Sequence, residues 1–245
     1  MKILHILLLL SNTQGLDSIF DQSNAFYTDG KYQMAIDGYK DILNSGFESA
    51  ELYYNLGNAF YKLNNIPESN FFYEKARSIS PTDEDILINL SFAQNLRIDK
   101  IEKLPITQTQ NLKINILNLL SEKGWSVLLI ILAWIACVSF VLYLSVNNSG
   151  NKRIFFTQFI IMMIGLIVVF TINYEKKKFN NEKFAIIYDK EIEVWSEPNK
   201  ISELKFLLHE GTKVKQVDTI QDWVNIQLEN GTLGWIQSSS IKILD

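Results

Sequence analysis

The sequence predicts a multidomain chain in which an all-α repeat solenoid and an all-β barrel flank a two-helix transmembrane hairpin, and three observations carry that prediction. Two apolar runs, 125–146 and 154–173, hold no charged residue and are separated only by 147–153. Each is close to the roughly 20 residues a helix needs to cross about 30 Å of hydrocarbon. Upstream, apolar positions return with a period of about 34 residues, the length of a helix-turn-helix repeat unit. Downstream, the period becomes strict alternation in Trp223-Val-Asn-Ile-Gln-Leu228, followed by a turn at Asn230-Gly231; together these read as a β-hairpin.

Taken in order, residues 1–15 combine Lys2, an apolar stretch over 3–10 and small or polar residues ending at Gly15. That pattern resembles a secretory signal peptide, with a buried N-terminal helix or strand as the other reading. Residues 16–98 hold the repeats, divided as 16–49, 50–83 and a capping helix over 84–97. In 50–83, Tyr53, Leu56, Gly57, Phe60, Ile66, Tyr73, Ala76 and Pro81 follow the aromatic, Leu, Gly, aromatic, apolar, aromatic, Ala, Pro pattern. The segment resembles a tetratricopeptide repeat. One repeat earlier, Phe26, Tyr32, Ala35, Tyr39 and Ile42 are equivalent, while Ser23 replaces the Gly and Phe47 the Pro.

The resemblance implies a solenoid with a peptide groove whose concave wall comes from the first helix of each repeat. There it puts Asn24, Asn55, Asn58 and Asn89, amides suited to a partner's backbone; ordinary solvated surface is the other reading. Phe20 and Asp85 stand where the subfamily that grips a C-terminal carboxylate has Lys.

A linker over 99–124 contains Leu112, Ile116, Leu119 and Leu120 on one helical face. It reads either as a helix on the membrane surface or as a plain linker helix. The aromatics Trp125, Trp134, Tyr143 and Tyr174 belong with the hairpin, as in an interfacial belt. Gln158, its one strongly polar side chain, is expected to hydrogen-bond the partner helix. Two crossings return the chain to its starting side. Lys152 and Arg153 in the loop 147–153 favour a cytoplasmic loop, whereas Lys176, Lys177 and Lys178 in the linker 174–183 favour the reverse. With a leader that exports the first domain, both flanking domains are expected to be periplasmic.

Residues 184–245 supply five short strands whose order of motifs resembles a bacterial SH3-like domain, a small barrel. Trp195, Trp223 and Trp235 with Tyr188 are candidates for an aromatic peptide groove. The alternative is that these rings fill a core that is small for a domain of this size.

The charge balance, 23 basic against 27 acidic side chains for a net −4, disfavours nucleic acid. The only cysteine, Cys137, excludes an intramolecular disulfide and any cysteine zinc site. His209 is expected to be solvated, and no triad, phosphate loop or metal-ligand spacing appears. No catalysis, cofactor or metal is expected. The full order of leader, repeats, paired crossings and SH3-like domain resembles the BatE-like proteins of the bacterial Bat (Bacteroides aerotolerance) family. That resemblance implies an inner-membrane scaffold, protein partners with von Willebrand A-type domains, and a part in aerotolerance or envelope maintenance. The alternative is a membrane protein that grips peptidoglycan through the SH3-like domain.

Overall fold

The computed structural model describes the backbone at residues 2–102, 104–105 and 107–244, and side chains within that range from residue 15 onward. The chain divides into two compact units: Met1–Leu104 together with Lys183–Asp245, and Pro105–Glu182.

The first unit opens with five helices, α1 Lys2–Thr28, α2 Tyr32–Asn44, α3 Ala50–Lys62, α4 Ile66–Ile79 and α5 Glu84–Asn95. The leader expected over 1–15 lies, but for Gly15, outside the residues whose side chains are described; its backbone continues α1. The caps explain the breaks. Ser49 accepts from the Leu52 N–H, Asn65 from the Glu68 N–H beside Pro67, and Asp83 from the Asp85 and Ile86 N–H groups. Each gives an otherwise orphaned helix donor a partner. Gly30 (φ 76°) and Asn64 (φ 55°) make the left-handed turns after α1 and α3, at equivalent points of successive repeats.

Packing within each repeat depends on one small residue, placed differently in the two. A Cβ on Gly57 would lie 2.6 Å from the Tyr73 ring, so α3 and α4 approach through that glycine. In the first repeat Ser23 holds the corresponding place, and the glycine sits on the facing helix instead: a Cβ on Gly38 would collide with Ser23 Oγ. The core of this region is made by Ile36, Tyr39, Leu52, Leu56, Phe60 and Phe72, all buried.

The sequence after the hairpin forms seven antiparallel strands, β1 Lys183–Ile187, β2 Glu191–Trp195, β3 Leu204–His209, β4 Lys213–Ile220, β5 Trp223–Gln227, β6 Leu233–Gln237 and β7 Ile241–Leu244, with a 3-10 turn at Ser238–Ser240. The order across the sheet is β3-β2-β6-β5-β4-β1-β7. This corrects the expectation of five strands in a closed barrel: the sheet is open, with β3 and β7 at its edges. The outermost pair β1–β7 comes from Phe184-Ala-Ile-Ile and Ile241-Lys-Ile-Leu, short runs without clean alternation. The sheet's core is aliphatic, built from Ala185, Ile187, Val194, Leu208, Val214, Ile226 and Ile236. No tryptophan belongs to that cluster; of the four candidate rings, only that of Tyr188 packs against a buried cluster.

The sheet keeps this aliphatic core, and its β1 also joins the core of the repeats. Ile186 of β1 is buried with the residues of α2, α3 and α4, and Tyr188 and Leu244 pack against the same cluster.

The second unit holds α6 Gln108–Asn118, α7 Glu122–Ser145 and α8 Ser149–Asn180. α7 and α8 are, among the described residues, the two helices long and apolar enough to cross a membrane. The 24 residues of α7 span about 36 Å. Only Trp125, Ala136 and Ser139 of α7 and Val169 of α8 are buried. A soluble core helix would hide far more of its surface. Asn148 alone caps α8, accepting from the Gly150 and Asn151 N–H groups, so the break between the helices is shorter than the expected loop 147–153. Gln158 does not bond α7; it borders an outward hollow with Arg153 and Thr157.

Candidate interaction surfaces

The four asparagines singled out by the repeat pattern form a ladder between successive first helices. Asn24 Oδ1 accepts from Tyr39 Oη at 2.6 Å and from Asn55 Nδ2 at 3.1 Å. One repeat later Asn58 Oδ1 accepts from Tyr73 Oη at 2.6 Å and from Asn89 Nδ2 at 2.9 Å, and Asn89 Nδ2 also donates to Tyr54 Oη at 2.8 Å. Burial pushes the Tyr39 hydroxyl up to about 12 and the Tyr73 hydroxyl higher still, so both remain donors at any physiological pH. Both tyrosines belong to the repeat pattern read from the sequence, which did not show that they bond the asparagines. Asn24 Nδ2, Asn58 Nδ2, Asn55 Oδ1 and Asn89 Oδ1 are left out of this ladder. These half-buried amide edges alternate donor and acceptor along α1, α3 and α5, the pattern that an extended backbone presents in return.

On the sheet, register brings the three tryptophans together. Trp195 stands opposite Trp235, Trp235 opposite Asn225, and Trp223 opposite Gln237. Directly opposed antiparallel residues share a face. All three rings are therefore on the face away from Val194, Val224 and Ile236, and all are half-buried. A hollow of about 320 Å³ beside Trp195 and Trp223 is bordered by Asp189, Glu191, Glu193 and Lys200, so three carboxylates meet one ammonium there.

Tyr188 does not join this group. Its ring lies 6.4 Å from that of Phe71, edge to face, and its hydroxyl donates to Glu68 Oε2 at 2.7 Å. It belongs to the junction between α4 and the sheet. Lys242 Nζ sits 4.0 Å from the Phe71 ring centroid and 3.2 Å from the same Glu68 oxygen. Lys213 Nζ reaches Glu74 Oε2 at 2.9 Å, and Arg77 meets that oxygen at 2.6 Å. Burial pulls the Lys213 ammonium down, and Glu74 opposes the shift.

His209 is likewise engaged rather than solvated. Asp99, just beyond α5, accepts from the His209 N–H at 2.7 Å and Thr212 Oγ1 at 2.8 Å, and faces His209 Nδ1 at 2.8 Å. His209 Nε2 lies 3.4 Å from Glu191, a residue of the tryptophan hollow. Its hydrogen bond to Asp99 raises the imidazole above its ordinary range.

The family model of the tetratricopeptide repeat matches residues 50–83. No curated protein matches the chain in sequence. The repeat suggests a protein-interaction scaffold, beside two helices long and apolar enough to span a membrane.

Proposed function

We propose that the chain is a non-enzymatic inner-membrane adaptor that presents its repeats and its sheet together on the periplasmic side, within a complex of the Bat type. The observation that carries this reading is that β1 joins the core of the repeats. The segments before and after the hairpin fold into one unit, which supports placing Leu104 and Lys183 on one side of a membrane, with an even number of crossings between them. The leader-like start of the chain supports the exported side for that unit. The amide edges on α1, α3 and α5 support an extended segment of a partner protein as the ligand of the repeats. The Bat resemblance points to membrane proteins with von Willebrand A-type domains.

A second function is favoured by the tryptophan hollow: its carboxylates and aromatic faces suit the ammonium groups of a peptidoglycan stem peptide.

Two measurements test these readings. With Cys137→Ser as background, single cysteines at Glu51, Asn151 and Asn230 are exposed to a membrane-impermeant maleimide on spheroplasts. Labelling at 51 and 230 but not 151 is expected; labelling at 151 alone overturns the orientation. Purification of the intact chain in mild detergent is expected to bring down a membrane protein with a von Willebrand A-type domain. Recovery of the chain alone, together with retention on purified cell wall, would favour the second function.

A further inference from the structure

The short helix α6 sits at one level of the hairpin. Lys113 Nζ contacts Glu175 at 2.6 Å, Lys176 Nζ donates to Asn118 at 2.9 Å, and the Trp125 indole N–H donates to the Leu117 carbonyl at 3.3 Å. Glu122 accepts from Asn180, and Asn173 donates to Ser126. These bonds hold α6 beside the stretch 171–176 of α8 and the first turn of α7. There the apolar run ends and the lysines begin, which for a spanning hairpin is the boundary between hydrocarbon and headgroups.

The helix is fixed by a capping box, in which Thr107 and Gln110 satisfy each other's backbone N–H groups. Leu117 is buried, yet Leu112 and Leu119 remain 61% and 70% exposed. That is unfavourable in water and natural against lipid. An apolar hollow of about 300 Å³ opens between α6 and α8, bordered by Leu112, Ile116, Leu117, Thr171 and Ile172, with Lys113 at its rim. Lys123, Lys177 and Lys178 are exposed near the same end of the hairpin.

We propose that α6 is a membrane-surface collar, with acyl chains of acidic phospholipid covering its Leu112, Leu119 and Leu120 side and filling the hollow against α8, and the lipid headgroups meeting Lys123, Lys177 and Lys178. Two features select lipid over protein as the occupant. The exposed leucines are continuous with the lipid-facing surface of α7 and α8. The cations stand just beyond the apolar positions, where long lysine stems carry their charge outward. The proposal rests on the hairpin's crossing the bilayer.

The test uses the full chain in nanodiscs, with Cys137→Ser as background and a nitroxide at position 119, 111 or 130. The label at 119 is expected to be relaxed more by oxygen than by a water-soluble nickel chelate, as at 130, while 111, on the other side of α6, shows the reverse. A water-exposed label at 119 with 130 still in oil overturns the collar and leaves the crossing intact; a water-exposed label at 130 overturns the crossing itself. Spin–spin broadening at 119 would show a second copy on this face and also reject the proposal. In mixed phosphatidylglycerol and phosphatidylcholine discs, Lys177→Gln with Lys178→Gln is expected to lower enrichment of the acidic lipid roughly fivefold per lysine. Unchanged enrichment rejects the headgroup assignment.

Discussion

Asn70 Nδ2 donates to the Gly211 carbonyl oxygen at 3.0 Å, closing a contact between residues 141 positions apart. Two modules that a reading along the chain separates are held as one body by this bond and its neighbours. Gly211 is in the left-handed region (φ 80°), and a Cβ there would lie 2.7 Å from Ile66 and 3.0 Å from Asn70 Nδ2. Gly211→Ala therefore adds backbone strain to a collision, with an expected loss of about 1–3 kcal/mol. In mild detergent, unfolding followed by far-ultraviolet circular dichroism for the helices and tryptophan fluorescence for the sheet should coincide in the parent protein. In the variant the two should separate; coincident curves would mean that the junction does not couple the modules.

Glu74 is the charged centre of the same junction. Its side chain is 3% exposed and that of Lys213 is 13% exposed, so the pair has left water together. Removing only the carboxylate, in Glu74→Gln, strands a buried ammonium, and the expected cost is about 3–5 kcal/mol. Replacing both, Glu74→Leu with Lys213→Met, should recover most of that stability, because an apolar pair of similar volume needs no compensation. Urea unfolding of the three proteins decides the matter, and a double variant as weak as Glu74→Gln would assign the loss to packing instead.

The second repeat was legible because a surface that recurs once per repeat needs the same residue types at the same places, as Phe26 with Phe60 and Tyr39 with Tyr73 show. The docking of the sheet on α4 was not, since a contact made once leaves no period. One signal existed. Phe71, Phe72 and Tyr73 are consecutive, and residues about 100° apart cannot all face one neighbour; α4 is accordingly buried on several sides, with Ser69, Asn70 and Glu74 buried beside the rings. Of the candidate site residues, the asparagines bond one another in pairs and the three tryptophans share one face of the sheet. Tyr188, just beyond β1, stands apart from the tryptophans and meets Phe71 and Glu68 instead.

The exchange of Ser23 and Gly38 makes a prediction about the first repeat. Gly38→Ala places a methyl against Ser23 Oγ, an overpacking worth about 1–3 kcal/mol. Ser23→Ala removes that oxygen, along with its bond to the Ile19 carbonyl. The pair Ser23→Ala with Gly38→Ala should therefore be at least as stable as the parent, since Ala is favoured over Gly in a helix by about 1 kcal/mol. A double-mutant cycle on thermal melting tests it: additive effects would show that the two residues do not share the contact.

The Asp99–His209 bond gives the repeat–sheet unit a pH dependence whose sign follows from the direction of the shift. Its carboxylate partner raises the folded imidazole above 6.5, with Glu191 on the other ring nitrogen adding to the effect. A raised folded value means that the protonated ring stabilises the fold fully below the unfolded value, and that this contribution fades as pH rises through the folded one. Melting temperature should therefore fall as pH rises above the ordinary imidazole value of about 6.5 by more in the parent than in His209→Gln, which keeps a polar side chain but cannot titrate. Because Glu191 borders the tryptophan hollow, the same window should alter ligand capture there: a neutral imidazole leaves more net negative charge at the rim and favours a cationic ligand. Equal pH slopes in parent and variant would place His209 outside both effects.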